Sequence, residues 1–371
     1  MTASPGHDQG HGLSILQGVL PVDRARIPRE IVAGITLAAI AIPEVMGYTK
    51  ISGTPVITGL YTILIPTALF AVFGSSRHLM VGADSATAAI LAAGLGGLAA
   101  IGSAEYVALA GLLALMAAAL LILARLLRLG FMADFLSRTV MIGFLTGVGI
   151  QVAIGQLAGM LGVKGAGHSL AEKLGSLPEQ IARANLHAVT IALVVLAVIV
   201  GLKRVSRKIP GALLAVISAI VVSWAFDLEE HMPVIGTVPA GLPEIGIPQV
   251  SWSWKLIDRL VPIAFAMFVV ILTQSAATSR AYAARYNESF SEQTDLVGLA
   301  LANIGAALSG TFVVNGSPTK TQIVDSAGGR TQLALLVSAG VVLVVLLFAT
   351  GPLAYLPEAV LSAIVFSSAS T

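Results

Sequence analysis

Long apolar runs, separated by short polar patches, recur from one end of this chain to the other. Runs with room to cross a bilayer as helices fall near residues 28–49, 56–74, 105–125, 134–162, 186–202, 209–226, 256–284, 292–310, 331–350 and 353–366. A helix needs about 20 apolar residues to span hydrocarbon. Two further segments break the pattern. Residues 79–99 open on Leu79-Met80-Val81-Gly82 and continue as a small-residue helix from Asp84. Residues 311–327 contain Asn315-Gly316-Ser317-Pro318-Thr319 and are too polar and too short to span. Each reads as an extended stretch running into a half-helix, and such interrupted segments at matching places in two halves point to a transporter's midplane site.

The spacing predicts an all-α polytopic membrane protein with about 12 segments. It divides into a disordered tail (1–23), a first repeat of seven segments (24–226), an extracytoplasmic connection (227–255) and a second, incomplete repeat of five (256–371). Composition agrees: 56% of the 371 residues are hydrophobic and 11% charged, with a mean hydropathy of +0.91. A soluble domain carries about 25% charged residues. There are no cysteines, so disulfides and thiolate metal sites are excluded. The histidines His7 and His11 read as tail rather than as metal ligands, and no secretory leader is expected.

Charge placement sets the expected orientation. With the N-terminus in the cytoplasm, 14 of the 21 Lys and Arg residues fall inside, among them Arg24, Arg26, Arg29, Arg77, Arg128, Arg207, Lys208, Arg280, Arg285 and Arg330; Lys164 and five others fall outside, and Lys320 lies within the bundle. Positive charge favours the cytoplasmic side, which places the chain in a plasma or inner membrane with its N-terminus inside. No P-loop, HExxH or nucleophile elbow is present, so neither an enzyme nor an ATP-driven pump is expected, and no cofactor. Lipid is an obligatory partner and nucleic acid is not expected.

Several runs resemble the SulP (sulfate permease) anion transporters: Ala41-Ile42-Pro43-Glu44-Val45-Met46-Gly47-Tyr48, Gly59-Leu60-Tyr61-Thr62, Phe73-Gly74-Ser75-Ser76-Arg77-His78-Leu79 with Val81-Gly82, Leu299-Ala300-Leu301-Ala302-Asn303-Ile304, Gly328-Gly329-Arg330-Thr331-Gln332 and Leu356-Pro357-Glu358-Ala359-Val360-Leu361. The resemblance covers about residues 24–366. It implies a seven-plus-seven inverted repeat with core and gate domains, followed by a STAS domain. Against that plan the chain lacks two spans and the STAS domain. A nucleobase transporter of the same fold and a non-transporting fragment or membrane scaffold are the alternatives, and a homodimer is left open.

The site expected from this pattern is a pair of half-helix starts, Gly82, Ala83, Asp84 and Ser85 against Gly316, Ser317, Pro318, Thr319 and Lys320. Helix N-termini present backbone N–H groups and about half a positive charge to an anion. Asp84, Ser317 and Thr319 read equally as ordinary helix caps. Lys320 is an intramembrane cation, costly unless used or paired; the family commonly has arginine there. Glu44, beside Pro43 in the first span, reads either as a proton-cycling carboxylate or as a structural carboxylate paired with Lys320 or an amide; the family often has glutamine there, and acidic variants look proton-coupled. Tyr48, one turn on, reads as a pocket wall or as core. Gln274 stands where the resemblance places an acid that helps bind Na+ in Na+-coupled relatives, so Na+ coupling is not expected. The partner is thus a small inorganic or carboxylate anion, such as sulfate or bicarbonate, with H+ as the candidate co-ion.

Overall fold

The computed structural model describes residues 15–127, 138–163, 170–205 and 211–369. His7, His11, Arg128, Lys164, Arg207 and Lys208, with the expected helix starts at 134 and 209, lie outside the described residues. Fourteen helices occur among the described residues: α1 (Ile27–Ser52), α2 (Val56–Phe73), α3 (Ser85–Leu95), α4 (Ala104–Leu126), α5 (Arg138–Met160), α6 (Leu170–Ala182), α7 (Leu186–Val205), α8 (Gly211–Ala225), α9 (Trp254–Tyr286), α10 (Glu292–Leu308), α11 (Pro318–Ser326), α12 (Leu333–Phe348), α13 (Thr350–Leu353) and α14 (Glu358–Ala369). Two two-residue strands, β1 (Val81–Gly82) and β2 (Asn315–Gly316), precede α3 and α11.

Local chemistry sets the boundaries. Ser103, Ser253 and Ser291 cap α4, α9 and α10, each accepting a backbone N–H from the first turn. Gly53 ends α1 in the left-handed conformation, at φ 78°. Its carbonyl accepts the Gly102 N–H and the neighbouring Ser52 carbonyl accepts the Tyr106 hydroxyl, which ties the end of α1 to the start of α4.

The inverted repeat is visible in the pairings. α1 packs on α12 as α9 packs on α4; α2 packs on α12 as α10 packs on α4; α1 meets α11 as α9 meets α3. α2 with α10, α5 with α14 and β1 with β2 are the self-related pairs. Exchanging the two halves therefore maps each of these contacts onto another of them.

The structure departs from the sequence expectations in four places. Residues 15–23 are packed and not a free tail: the Leu16 N–H donates to the Val72 carbonyl (2.7 Å), the Gln332 N–H donates to the Gly18 carbonyl (3.0 Å), and Val19 is buried. Residues 170–182 form a helix between the runs at 134–162 and 186–202, where the sequence reading assigned no element. In the sequence, Leu170, Leu174, Leu177 and Ile181 recur at helical spacing, an apolar pattern too narrow to read as a span, and the chain bends by 114° between this helix and the next. The last span starts at Glu358 and not at 353, because Pro357 disfavours the helical conformation at Leu356; the Leu356 carbonyl accepts the Ile235 N–H (3.0 Å) instead. Four helices among the described residues are long and apolar enough to cross a membrane unaided, namely 24–52, 56–73, 104–126 and 254–286, while 333–348 and 358–367 are shorter apolar helices.

After a short 3-10 helix at Leu228–Glu230, the connection runs as irregular chain across one face to the start of α9, its N–H groups at Ile235, Gly241 and Gly246 donating to the carbonyls of Leu356, Leu346 and Leu308. Those carbonyls lie near the ends of α13, α12 and α10, so the three ends share a side. The N-terminal segment, His78, Glu288 and Arg330 share the other.

Candidate functional site

The two strands cross at the centre of the bundle. β1 pairs antiparallel with β2, with Val81 opposite Gly316 and Gly82 opposite Asn315. Antiparallel pairing sends the two following helices away from the crossing in opposite directions, so the starts of α3 and α11 lie side by side. Both are capped by their own sequence: Asp84 accepts the Ala86 N–H (2.8 Å), and Ser317 Oγ accepts the Lys320 N–H (3.3 Å) while its own O–H remains able to donate.

Buried polar groups hold the strands in register. Asn303 on α10 clamps Val314, accepting its N–H and donating to its carbonyl, each at 3.0 Å. Ser275 Oγ accepts the Gly316 N–H (3.0 Å), and the Ser317 N–H donates to the Met80 carbonyl (2.9 Å). On the approach to β1, Gln332 donates to the carbonyls of Ser76 (2.8 Å) and Leu79 (2.7 Å). Asp295 accepts the N–H groups of Ser75 (2.7 Å) and Ser76 (2.9 Å). Gln274 is buried, and its side-chain carbonyl accepts from the Asn315 amide. The sequence reading gave no site role to Asn303, Asn315, Ser275, Asp295 or Gln332; for Ser275, Asp295 and Asn303, a polar side chain inside a span was the available signal.

Three of the expected site residues converge on one ammonium group. Lys320, in the first turn of α11, donates from Nζ to the Ala83 carbonyl (2.7 Å), lies 3.6 Å from Glu44 Oε2 and sits 5.3 Å from the centre of the Tyr48 ring. Lys320 and Glu44 are each 3% exposed and Tyr48 6%. Helix α1 supplies the acid and the ring from positions 44 and 48, one turn apart and so on one face. A carboxylate, a carbonyl and an aromatic face are all cation ligands, and Glu44 stands beside Lys320. Of the remaining expected residues, Gly82 is buried against the Lys320 methylenes, with Cε 3.4 Å from where a β-carbon would stand. Gly316 is buried against Leu79 and Ser275. Asp84 and Ser85 are half-buried and Thr319 is exposed. The site therefore has a buried layer of Glu44, Tyr48 and Lys320, and an accessible layer of Asp84, Ser85 and Thr319 at the helix starts.

This architecture has known counterparts. The sequence profile of the Sulfate permease family matches residues 27–371. A probable sulfate transporter of Mycobacterium tuberculosis (strain CDC 1551 / Oshkosh) is 35% identical over 341 residues, which cover 92% of this chain and 60% of that protein. A chloroplastic sulfate transporter of Arabidopsis thaliana is 28% identical over 349 residues, 92% of this chain and 50% of its own. Among solved structures, the transmembrane domain of a cyanobacterium bicarbonate transporter, BicA, superposes with a TM-score of 0.83 at 25% identity, covering 94% of this chain and 90% of that one. The murine Solute Carrier 26 family member A9 anion transporter, in the inward-facing state, also gives 0.83, at 22% identity over 93% of this chain and 60% of that one. The chain thus spans about 60% of the length of its mycobacterial relative.

Proposed function

We propose, since the chain belongs to the sulfate permease family, that it is the membrane part of a secondary transporter of small anions, working by alternating access. Sulfate, bicarbonate and small carboxylates are the substrate class, the first two in keeping with what similar proteins are named for. The observation that carries this reading is Lys320, a cation in the first turn of α11 at the crossing of two strand-to-helix breaks. An anion enters past Asp84, Ser85 and Thr319, and meets the Lys320 ammonium with the Ser317 hydroxyl and the helix starts contributing further donors. Gly82 and Gly316 keep side chains out of the crossing.

The Glu44–Lys320 pair supports proton coupling in the same direction. Glu44 and the substrate compete for one ammonium group, so protonating Glu44 releases Lys320 for the anion. Proton and anion then bind together, which is linkage through a shared cation. Gln274, neutral and already bonded to Asn315, supports a cycle without Na+. Arg24, Arg26 and Arg29 at the start of α1, and Arg280, Arg285 and Arg330, support a cytoplasmic N-terminus by the positive-inside rule.

Uptake of radiolabelled sulfate, bicarbonate and succinate by proteoliposomes tests the reading. Saturable uptake of one of them, accelerated by an acidic exterior and lost in Lys320→Ala, is expected. Uptake of none, by the chain alone or joined to the remainder of the family's length, would overturn it.

A further inference from the structure

On the face that carries the connection 227–255, a broad groove opens between α1, α3, α5, α6 and α14, with a volume of about 1710 Å³. Fitted ligand pockets run to about 300–1,000 Å³, so this is a space for hydrated ions and not a mould for one ligand. Its floor is small: Ala89, Ala92 and Ala93 of α3 and Gly155 and Gly159 of α5 line it. Its wall is not. The missed helix α6 turns Lys173 and Gln180 toward the groove, with the Gln180 amide donating to Ser176 Oγ at 2.8 Å. With Leu177 between them, these two polar side chains give an otherwise small-residue groove a polar edge.

Charge decides what collects there. Among the described residues, three charged side chains line the groove: Lys50, Lys173 and Glu358. Lys50 and Glu358 neutralise one another at 2.8 Å, across the join between the end of α1 and the start of α14. Lys173 therefore sets the sign. Its ammonium reaches over α5 to within 3.7 Å of where a Gly155 β-carbon would stand, so no side chain at that position covers the charge. The groove ends at Thr49 on α1, next to Tyr48 of the buried site, and along the flank of α3 whose start carries Asp84 and Ser85.

We propose that this groove is an electrostatic vestibule that gathers small hydrated oxyanions before they reach the half-helix site, with Lys173 as the gathering charge and the Lys50–Glu358 pair as its counterweight. The vestibule rests on the transport reading for its purpose but not for its electrostatics, which can be read without any transport. The chain has no cysteine, so Ala93→Cys provides one exposed thiol in the groove with no background.

The test is the ratio of labelling rates of Ala93→Cys, in membranes, by a negatively charged and a positively charged methanethiosulfonate, each referred to a free thiol. The ratio is expected to favour the anionic reagent. Adding Lys173→Gln should lower it by about threefold or more at low salt, with the effect shrinking at high salt; Lys173→Arg should restore it. Adding Glu358→Gln, which frees Lys50, should raise it. In uptake assays, Lys173→Gln should raise the half-saturation concentration from that face and leave the maximal rate alone. A ratio unmoved by both Lys173→Gln and Glu358→Gln overturns the vestibule even where the parent transports. A parent that takes up no anion, but shows both shifts, sinks the transport reading and leaves the vestibule's field standing.

Discussion

Lys320 Nζ lies 3.6 Å from Glu44 Oε2 and 2.7 Å from the Ala83 carbonyl, so the ammonium in this bundle is held by one group from α1 and one from the strand-to-helix break before α3. All three groups are buried. A pair buried like this is weak evidence for stability, because desolvation offsets attraction. In the proposed cycle this cation changes partners, from Glu44 to the anion.

Lys320→Ala should weaken anion binding by about 1.5–3 kcal/mol, the range for a charge-assisted contact, or roughly ten- to more than a hundredfold in Kd. Lys320→Arg should keep most of the affinity. Equilibrium binding of labelled sulfate to purified protein checks both, with thermal unfolding in detergent run alongside to separate affinity from stability.

Replacing Na+ with choline at constant membrane potential should leave uptake unchanged. The Gln274 amide oxygen is already engaged by Asn315, and a neutral amide lacks the charge that holds a cation. Uptake that collapses in choline would contradict this.

Gly316→Ala and Gly82→Ala should differ. A β-carbon at Gly316 would stand 2.6 Å from Leu79 Cδ1 and 2.8 Å from Ser275 Oγ, the group that receives the Gly316 N–H. Overpacking of this kind costs about 1–3 kcal/mol. At Gly82 the nearest atom is Lys320 Cε at 3.4 Å, so Gly82→Ala should fold normally and alter anion affinity. Melting curves and binding isotherms on the two variants give the comparison.

His78, in the turn between α2 and β1, should make the fold sensitive to acid. Its ring is buried and stacked on Tyr286, with centroids 4.7 Å apart, and Nε2 is 3.1 Å from Glu288 Oε2. Burial lowers its pKa, as does Arg330, against the opposing pull of Glu288 and Asp325. A histidine whose folded pKa is depressed takes up protons more readily when unfolded, so its contribution is full above the unfolded value of about 6.5 and falls as the pH drops below it. The parent's Tm should decline below that pH, and His78→Asn should flatten the decline. Equal slopes in both proteins would remove His78 from the explanation.

Much of this was legible in the chain. Gly82-Ala83-Asp84-Ser85 and Gly316-Ser317-Pro318-Thr319 announced two helix starts because capping residues and a proline at the first turn have narrow meanings, and Glu44 and Lys320 stood out as charges inside apolar runs. The pairing of β1 with β2 was not legible: two residues per strand carry no alternation to read. Nor was helix α6, whose four apolar positions look like loop composition until a 3.6-residue period is laid over them. Asn303 and Asp295 were hidden for another reason, since a polar residue in a span can face any neighbour, and only the fold shows that these face the strand approaches.

One titration tests the central claim most directly: the Kd for labelled sulfate, or for whichever anion the uptake assay selects, measured from acid to alkaline pH on the parent and on Glu44→Gln. If Glu44 and the anion compete for Lys320, the parent should bind more tightly as the pH falls, while Glu44→Gln should bind tightly throughout with that slope gone. The same pH slope in both proteins would show that Glu44 is a structural partner of Lys320, and that the proton and the anion are not linked through it.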